Sequence, residues 1–596
     1  MTNELTAQRL SKRLSGNDMQ HNRGSRGGSL RRFSFRLSVR ALFVALFCAL
    51  ASPSHTLAQE PPPDKEYFDI IKSIDLLGEV YREVSKNYVD PVNASEFMYA
   101  GIDGMLRTLD PYTVFLNEED AGELDEQTNG QYVGVGLTIA LIDGVFFVTS
   151  VTEGHSAAKA GIKVGDAIIA INNKETKKTL PEEVRGEIKG LAGTTVTLQL
   201  ERKGAPIFTV AMVREDVRVN TVSYSGMIDG VGYIEMKSFG THSAGELREA
   251  LQALMKQAQE RQITLKGVIM DLRHNPGGLL TAAVDVSSLF INQGSKVVSL
   301  QGRLPEMTKT YLTEEKPLLP NIPLAVLINS QSASASEIFS GVVQDLDRGV
   351  VLGGRSYGKG LVQSVVRISY DSSVKLTIAK YSTPSGRLIQ KELTPMSSAR
   401  KVLPKAREDK SPQIYSTRGG RKVYGGGGIT PDIEISEPAG SLYLMELRRK
   451  GMLFLFATDF CSAYPLKMPS QLDRVQLMAS FNDFLHNRKF VYVSDNERRL
   501  TGLRESVKRA DPEISEIQLN SFDTVQQELD RLKVREVERE ASDIAKSLEV
   551  EILRHYDLRL ARGAEVKEDL VVKKAVEVLS DPAKYSSILH PAAAVN

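Results

Sequence analysis

Only two cysteines occur in the 596 residues, Cys48 and Cys461. Cys48 falls in an apolar N-terminal run expected to be removed, so the mature chain would keep one thiol and no internal disulfide. That excludes both a disulfide framework and a cysteine-based metal site. The apolar run itself, Ala41 to Ala51, has eleven residues, short of the about 20 that a bilayer core requires. Net charge is also small, at +1, but unevenly spread. Residues 1–40 hold nine Lys/Arg and two Asp/Glu, and residues 41–58 hold no charge. Without residues 1–58 the chain has 66 basic and 72 acidic residues, a net of −6. Nothing in that balance favours a nucleic-acid partner.

A basic stretch, an apolar stretch and Ser52-Pro53-Ser54-His55-Thr56-Leu57-Ala58 follow the order of a secretory signal, with cleavage expected after Ala58. Forty residues is long for the basic part, so Met19 is an alternative start. Arg31-Arg32 hints at a twin-arginine signal, although the residues after it fit poorly. An uncleaved signal acting as a membrane anchor is the competing reading. The remaining length suggests three or four domains.

After the Pro61-Pro62-Pro63 spacer, Ile70, Ile71, Ile74, Leu77, Val80, Tyr81 and Val84 recur at helical spacing, and Asp110-Pro111 ends the helical section. Residues 59–128 are therefore expected to be an N-terminal helical domain. Residues 129–216 change to short strands: Val135–Leu141 and Val145–Val151 flank the turn Ile142-Asp143-Gly144, with further strands at Ala167–Ile171 and Thr195–Leu200 and a helix at Pro181–Lys189. Residues 217–438 alternate strands (Val231–Met236, Val268–Leu272, Leu324–Ile328, Val350–Leu352, Val374–Tyr381) with helices (Ala244–Gln259, Leu279–Phe290, Ser334–Leu346). That alternation predicts an α/β core with parallel pairing. Residues 439–596 favour helix, with an apolar stripe through Phe522, Val525, Leu529, Leu532, Val537, Ala541, Ile544 and Leu548. The stripe is expected to pack within its own domain, with an oligomer seam as the alternative.

Three segments of the α/β block fall at the carboxyl ends of strands, where such sheets place their sites. They are Asp271–Gly278, Ser330–Glu337 and Gly353–Gly360. Singly, each has a bland reading: a glycine turn or a serine helix cap. Gly353-x4-Gly358-Lys359 opens like a phosphate-binding loop, but Gly360 stands where Ser or Thr must hold magnesium. Gly134-x-Gly136 is too short for a dinucleotide fingerprint.

Together the segments resemble the carboxyl-terminal processing (tail-specific) serine protease family. Ser332-Ala333-Ser334-Ala335-Ser336-Glu337-Ile338 is similar to its nucleophile motif, and Tyr357-Gly358-Lys359-Gly360-x-x-Gln363 to the motif that carries its lysine. Thr383-Pro384-Ser385-Gly386-Arg387 and Gly428-Ile429-Thr430-Pro431-Asp432 match further signatures, and the likeness spans roughly residues 65–436. The resemblance implies a multidomain α/β protein with a crotonase-like Ser-Lys protease core. Ser334 would be the nucleophile, Lys359 the base and Gln363 its partner, with the N–H groups of Gly278 and Ala335 as the oxyanion hole. No metal or organic cofactor is implied.

The chemistry asks for these residues. A serine hydroxyl needs a base, and lysine serves only when neutral, which burial promotes by lowering its pKa. Lys359 is thus expected to be desolvated, with its amine aimed by the neutral Gln363 amide. A histidine base is the competing assignment. Only His274 lies in the matched motifs, and His155, His242, His486, His555 and His590 lack a triad context.

Residues 129–216 resemble a PDZ domain, whose carboxylate-binding loop and ligand-pairing strand would be Gln131–Leu137, with Val133, Gly134, Val135, Gly136 and Leu137 gripping the peptide. The expected partners are proteins or peptides with apolar carboxyl termini. Membrane association through an uncleaved signal, a homo-oligomer and an adaptor stay open. The expected location is a bacterial periplasm or envelope. A catalytically inactive PDZ scaffold or chaperone on a protease fold is the alternative function. The polar, basic stretch between Gln390 and Ile429 reads as a surface flap or a disordered loop.

Overall fold

The computed structural model describes residues 65–392, 413–436, 441–464, 473–511 and 516–591. The signal sequence expected over 1–58 lies outside the described residues. The chain divides into two units, residues 1–94 and 95–596. In the first, the periodicity beginning at Ile70 forms helix Lys65–Asn87.

The second unit is organised around a sheet whose parallel strands run Val231–Met236, Gly267–Asp271, Leu324–Ile328, Val350–Gly353 and Ile433–Glu434, with Val222–Ile228 antiparallel at one edge. The central strands are apolar on both faces, as a sheet covered on both sides requires. Ile234, Val268, Met270, Val326 and Ile328 face helices Ser243–Glu260, Leu280–Ser288 and Ala335–Asp345. The alternate residues Tyr233, Ile269, Ala325, Leu327 and Leu352 face Val571, Val572, Ala575, Val578 and Leu579 of the C-terminal helices. These C-terminal helices are therefore one wall of the α/β core. Arg273 fastens them, bonding Asp271 at 2.7 Å and Asp569, the cap of helix Leu570–Ser580, at 2.8 Å.

A second sheet contains Lys296–Gly302, Lys309–Leu312, Leu361–Arg367 and Ser373–Ser382. Its outer strand is Val114–Leu116, from the segment expected to be only helical. Part of the basic stretch is also built: residues 413–424 include the hairpin Ile414–Ser416/Lys422–Tyr424, pinned by Arg421 to Asp347 at 2.7 Å and Asp432 at 2.5 Å. Its remainder, 393–412, lies outside the described residues.

The β-module orders its strands Leu137–Ile142, Val145–Val151, Ala167–Ile171, Thr195–Glu201 and Phe208–Val213, which leaves Leu137–Ile142 at an edge. The module rests on the C-terminal helices at the hairpin end of that edge strand. Ile142, Phe147 and Val164 pack against a cluster containing Phe454, Phe456, Phe481, Leu548 and Ile552, with Phe147 edge-on to Phe454 at 5.7 Å. Lys203 pairs with Asp459 across the same contact. Helix Glu516–Tyr556 sends Ile544, Leu548 and Ile552 into this cluster, whereas Val525 and Leu532 on its first half stay exposed. The stripe is thus intradomain over its second half.

Leu579 is buried against the sheet, where its side chain meets Gly267. Leu579→Ala is expected to lower the unfolding free energy by about 2–4 kcal/mol, read from the urea midpoint of the full chain.

Candidate active site

The three turns singled out in the sequence follow three adjacent parallel strands, Gly267–Asp271, Leu324–Ile328 and Val350–Gly353, and converge at their carboxyl ends. Ser334 caps helix Ala335–Asp345 with φ 55° and ψ −114°, a left-handed conformation that is costly for a residue with a Cβ. Its N–H donates to Glu337 Oε2 at 2.9 Å, which helps hold that strained turn.

Glu337 also reaches the lysine loop. It is fully buried, and it accepts from Ser356 Oγ at 2.5 Å, Gly358 N at 2.7 Å and Lys359 N at 2.9 Å. Burial pushes its pKa above the ordinary carboxylate value, against the pull of these donors. Tyr381 makes a second tie. Its buried hydroxyl donates to Lys359 O at 2.6 Å and lies 3.2 Å from Ser334 O.

Lys359 is half-buried, and its Nζ sits 4.9 Å from the centre of the Tyr112 ring. Burial pushes its pKa down to about 8, and Lys375 nearby adds to the shift, while Asp110 and Glu337 oppose it. Lys359 Nζ hydrogen-bonds neither Ser334 Oγ nor Gln363. Gln363 instead donates to Thr377 Oγ1 at 3.2 Å. The Tyr112 ring comes from the Asp110–Thr113 turn. Asp110 Oδ1 accepts from Tyr112 N and Thr113 N at 2.8 Å each, and Thr113 Oγ1 accepts from Thr377 N at 3.2 Å.

Facing Ser334 is the Asn275–Gly278 turn. Asn275 is buried. Its Oδ1 accepts from Gly277 N at 2.9 Å, and its carbonyl accepts from Ala333 N at 3.1 Å and Ser336 Oγ at 2.9 Å. A Cβ on Gly277, at φ 100°, would stand 2.8 Å from Ala335 N, and one on Gly278, at φ 146°, 2.1 Å from Phe239 O. Only glycine allows this approach. Among the described residues neither Gly278 N–H nor Ala335 N–H has an acceptor, as expected for Ala335 in the first turn of a helix. His274 is turned to Gln331 Oε1 at 2.5 Å and Asn329 Nδ2 at 3.2 Å, an arrangement that occupies both ring nitrogens.

In the β-module, Val133 and Gly134 pair with Asp216 and Glu215 in a short ladder. Val135 and Gly136 N–H have no acceptor among the described residues, and Leu137 begins the edge strand. Helix Pro181–Ile188 is also part of this module.

Sequence reasoning missed Glu337, Tyr381, Tyr112 and Asp110. Ser334-x-x-Glu337 has the capping-box spacing, a local signal for Glu337. Tyr381 read as an ordinary strand residue and Asp110-Pro111 as a helix stop.

Family models match in three blocks: the PDZ domain over residues 123–201, peptidase family S41 over 230–397, and the C-terminal helical domain of probable PDZ-proteases over 443–579. A serine-type peptidase joined to a PDZ domain is the class so defined. A carboxy-terminal-processing protease of Bartonella bacilliformis is 33% identical over 54% of this chain and 73% of its own length. The carboxy-terminal processing protease CtpA of Bacillus subtilis is 33% identical over 53% of this chain and 67% of its own. A solved photosystem II D1 C-terminal processing protease is 26% identical, over 61% of this chain and 92% of that one, with a TM-score of 0.32. The chain belongs to the carboxy-terminal processing protease family.

Glu337→Gln would turn amide hydrogens toward some of the four donors. It is expected to lower kcat by about 10²-fold or more with little change in KM, the signature of lost positioning. Tyr381→Phe, which removes one tie, is expected to cost about 10-fold in kcat. Both are measured by steady-state cleavage of an unstructured substrate.

Proposed function

We propose that this peptidase is an exported endopeptidase that holds protein carboxyl termini in its PDZ domain and cleaves through Ser334 and Lys359. Neutral Lys359 takes the proton of Ser334 Oγ as that oxygen adds to the scissile carbonyl. Gly278 N–H and Ala335 N–H receive the oxyanion. The protonated amine then gives its proton to the leaving nitrogen as the C–N bond breaks, which leaves acyl-Ser334. Water, deprotonated by Lys359, adds to the acyl carbonyl, and the lysine returns that proton to Ser334 Oγ as the ester C–O bond breaks and the acid product leaves. Gln363, which donates to Thr377 in this structure, would aim the amine once the site tightens on substrate; a neutral amide does this without favouring the ammonium as a carboxylate would.

The observation that carries this reading is Lys359 itself: a half-buried amine, lowered to about 8, on a loop tied by Glu337 and Tyr381 to the Ser334 turn. The missing Lys359–Ser334 hydrogen bond accords with a site that tightens on substrate, as catalytic contacts often do. For the PDZ domain, the support is an edge strand for an added peptide and free N–H groups at Val135 and Gly136 for its carboxylate. Apolar tails are the proposed ligands. Export to a periplasm or envelope rests on the signal-like order of residues 1–58.

Ser334→Ala and Lys359→Ala are both expected to abolish cleavage of a substrate ending in small apolar residues. For the wild type, kcat/KM is expected to rise with pH through about 8, because the neutral amine is the active form. Cleavage surviving in Lys359→Ala overturns the mechanism. A wild type that binds tails but cleaves nothing at any pH favours the scaffold.

A further inference from the structure

Lys375 is half-buried on strand Ser373–Ser382, and it forms no ion pair or hydrogen bond among the described residues. An ammonium taken from water without an anion is costly, and a methionine or glutamine would fill the same space more cheaply. Its location gives the cost a use. In the antiparallel pairing of this strand with Leu361–Arg367, Gln363 stands opposite Thr377 and Val365 opposite Lys375. Residues opposite or two apart share a face, so Lys375 lies on the face where Gln363 meets Thr377. On its other side Lys375 pairs with Val114, two residues beyond the Tyr112 ring that receives the Lys359 ammonium.

We propose that Lys375 is a positioning residue acting through Lys359: its unpaired positive charge keeps the neighbouring amine neutral and so sets the pH range of cleavage. The proposal rests on the Ser-Lys reading above and assigns a second lysine to it.

The charge balance around the pair supports this direction. Asp110 from the turn before strand Val114–Leu116 and Glu337 from helix Ala335–Asp345 favour the Lys359 ammonium, and the Tyr112 face also attracts it. Tyr112, Tyr357 and Tyr381 are the other titratable groups at the site, and the burial of Tyr112 and Tyr381 holds both phenols protonated well past neutrality. Lys375 is a cation whose charge opposes protonation of Lys359. Burial lowers Lys375 too, yet the effect on its neighbour needs only that it remain charged where the enzyme works. Strand Leu361–Arg367 offers Lys375 no carboxylate, and Arg367 at its end faces Asp125 instead, at 3.7 Å.

The test compares pH profiles of kcat/KM for full-length wild type, Lys375→Met, Lys375→Gln, Lys375→Arg and Lys359→Ala on one unstructured substrate. Without the charge, the acidic limb moves to higher pH. Each unit of movement lowers the neutral fraction at about pH 7 by about 10-fold, and activity recovers once pH exceeds the new midpoint. Lys375→Arg keeps the wild-type limb. Such a pattern supports the proposal, since a merely structural residue would lower activity by the same factor at every pH. An unmoved limb in Lys375→Met and Lys375→Gln, or a uniform loss across the range, overturns it while Lys359→Ala remains inactive. Cleavage by Lys359→Ala overturns the Ser-Lys reading and this proposal with it.

Discussion

One buried carboxylate holds the site together. Glu337 joins the strained Ser334 turn on one strand end to the Lys359 loop on the next, through backbone N–H groups on both sides. Bonds to backbone fix the two loops regardless of their side-chain rotamers. That would suit the proposed catalytic pair, whose reaction would depend on close placement. The arrangement also sets a tension. A negative charge so near the lysine favours the ammonium, so desolvation of Lys359 must outweigh it before the amine can serve as the proposed base.

The same economy of position governs the outer layers. The C-terminal helices cover the sheet face beneath the active-site turns, and Asp569 grips Arg273, two residues past the end of strand Gly267–Asp271. Another part of the same region carries the PDZ domain on aromatic packing around Phe454 and Phe456. A change in that packing would bear on both the peptide-binding module and the catalytic core, because one helical region touches both.

Much of this was legible in the sequence. The core strands are short, largely apolar runs, and Val231–Met236 and Leu324–Ile328 form over the residues read for them. The three turns stood out because glycine, asparagine and serine cluster after those runs. The second sheet was less visible. Val114–Leu116 is three residues long and sits between helical segments, so no alternation marks it, and its pairing with Ser373–Ser382 spans more than 250 residues of sequence. For the same reason Asp110-Pro111 read as a helix stop and nothing more, and Tyr112 carried no signal. Tyr381 and Lys375 sit in a strand whose pattern explains them without function; only the fold reveals what surrounds their polar ends. The PDZ strands were readable, but the ladder that engages Val133 and Gly134 with Asp216 and Glu215 was not, since it closes a loop of some eighty residues.

The proposed mechanism requires that the fold keep Lys359 neutral enough to act as a base. The most direct measurement is the titration of that amine in the full-length Ser334→Ala protein, by competitive amine labelling and peptide mass spectrometry. A midpoint near 8 is the result the account predicts. A midpoint at the ordinary lysine value of about 10.4 would contradict it.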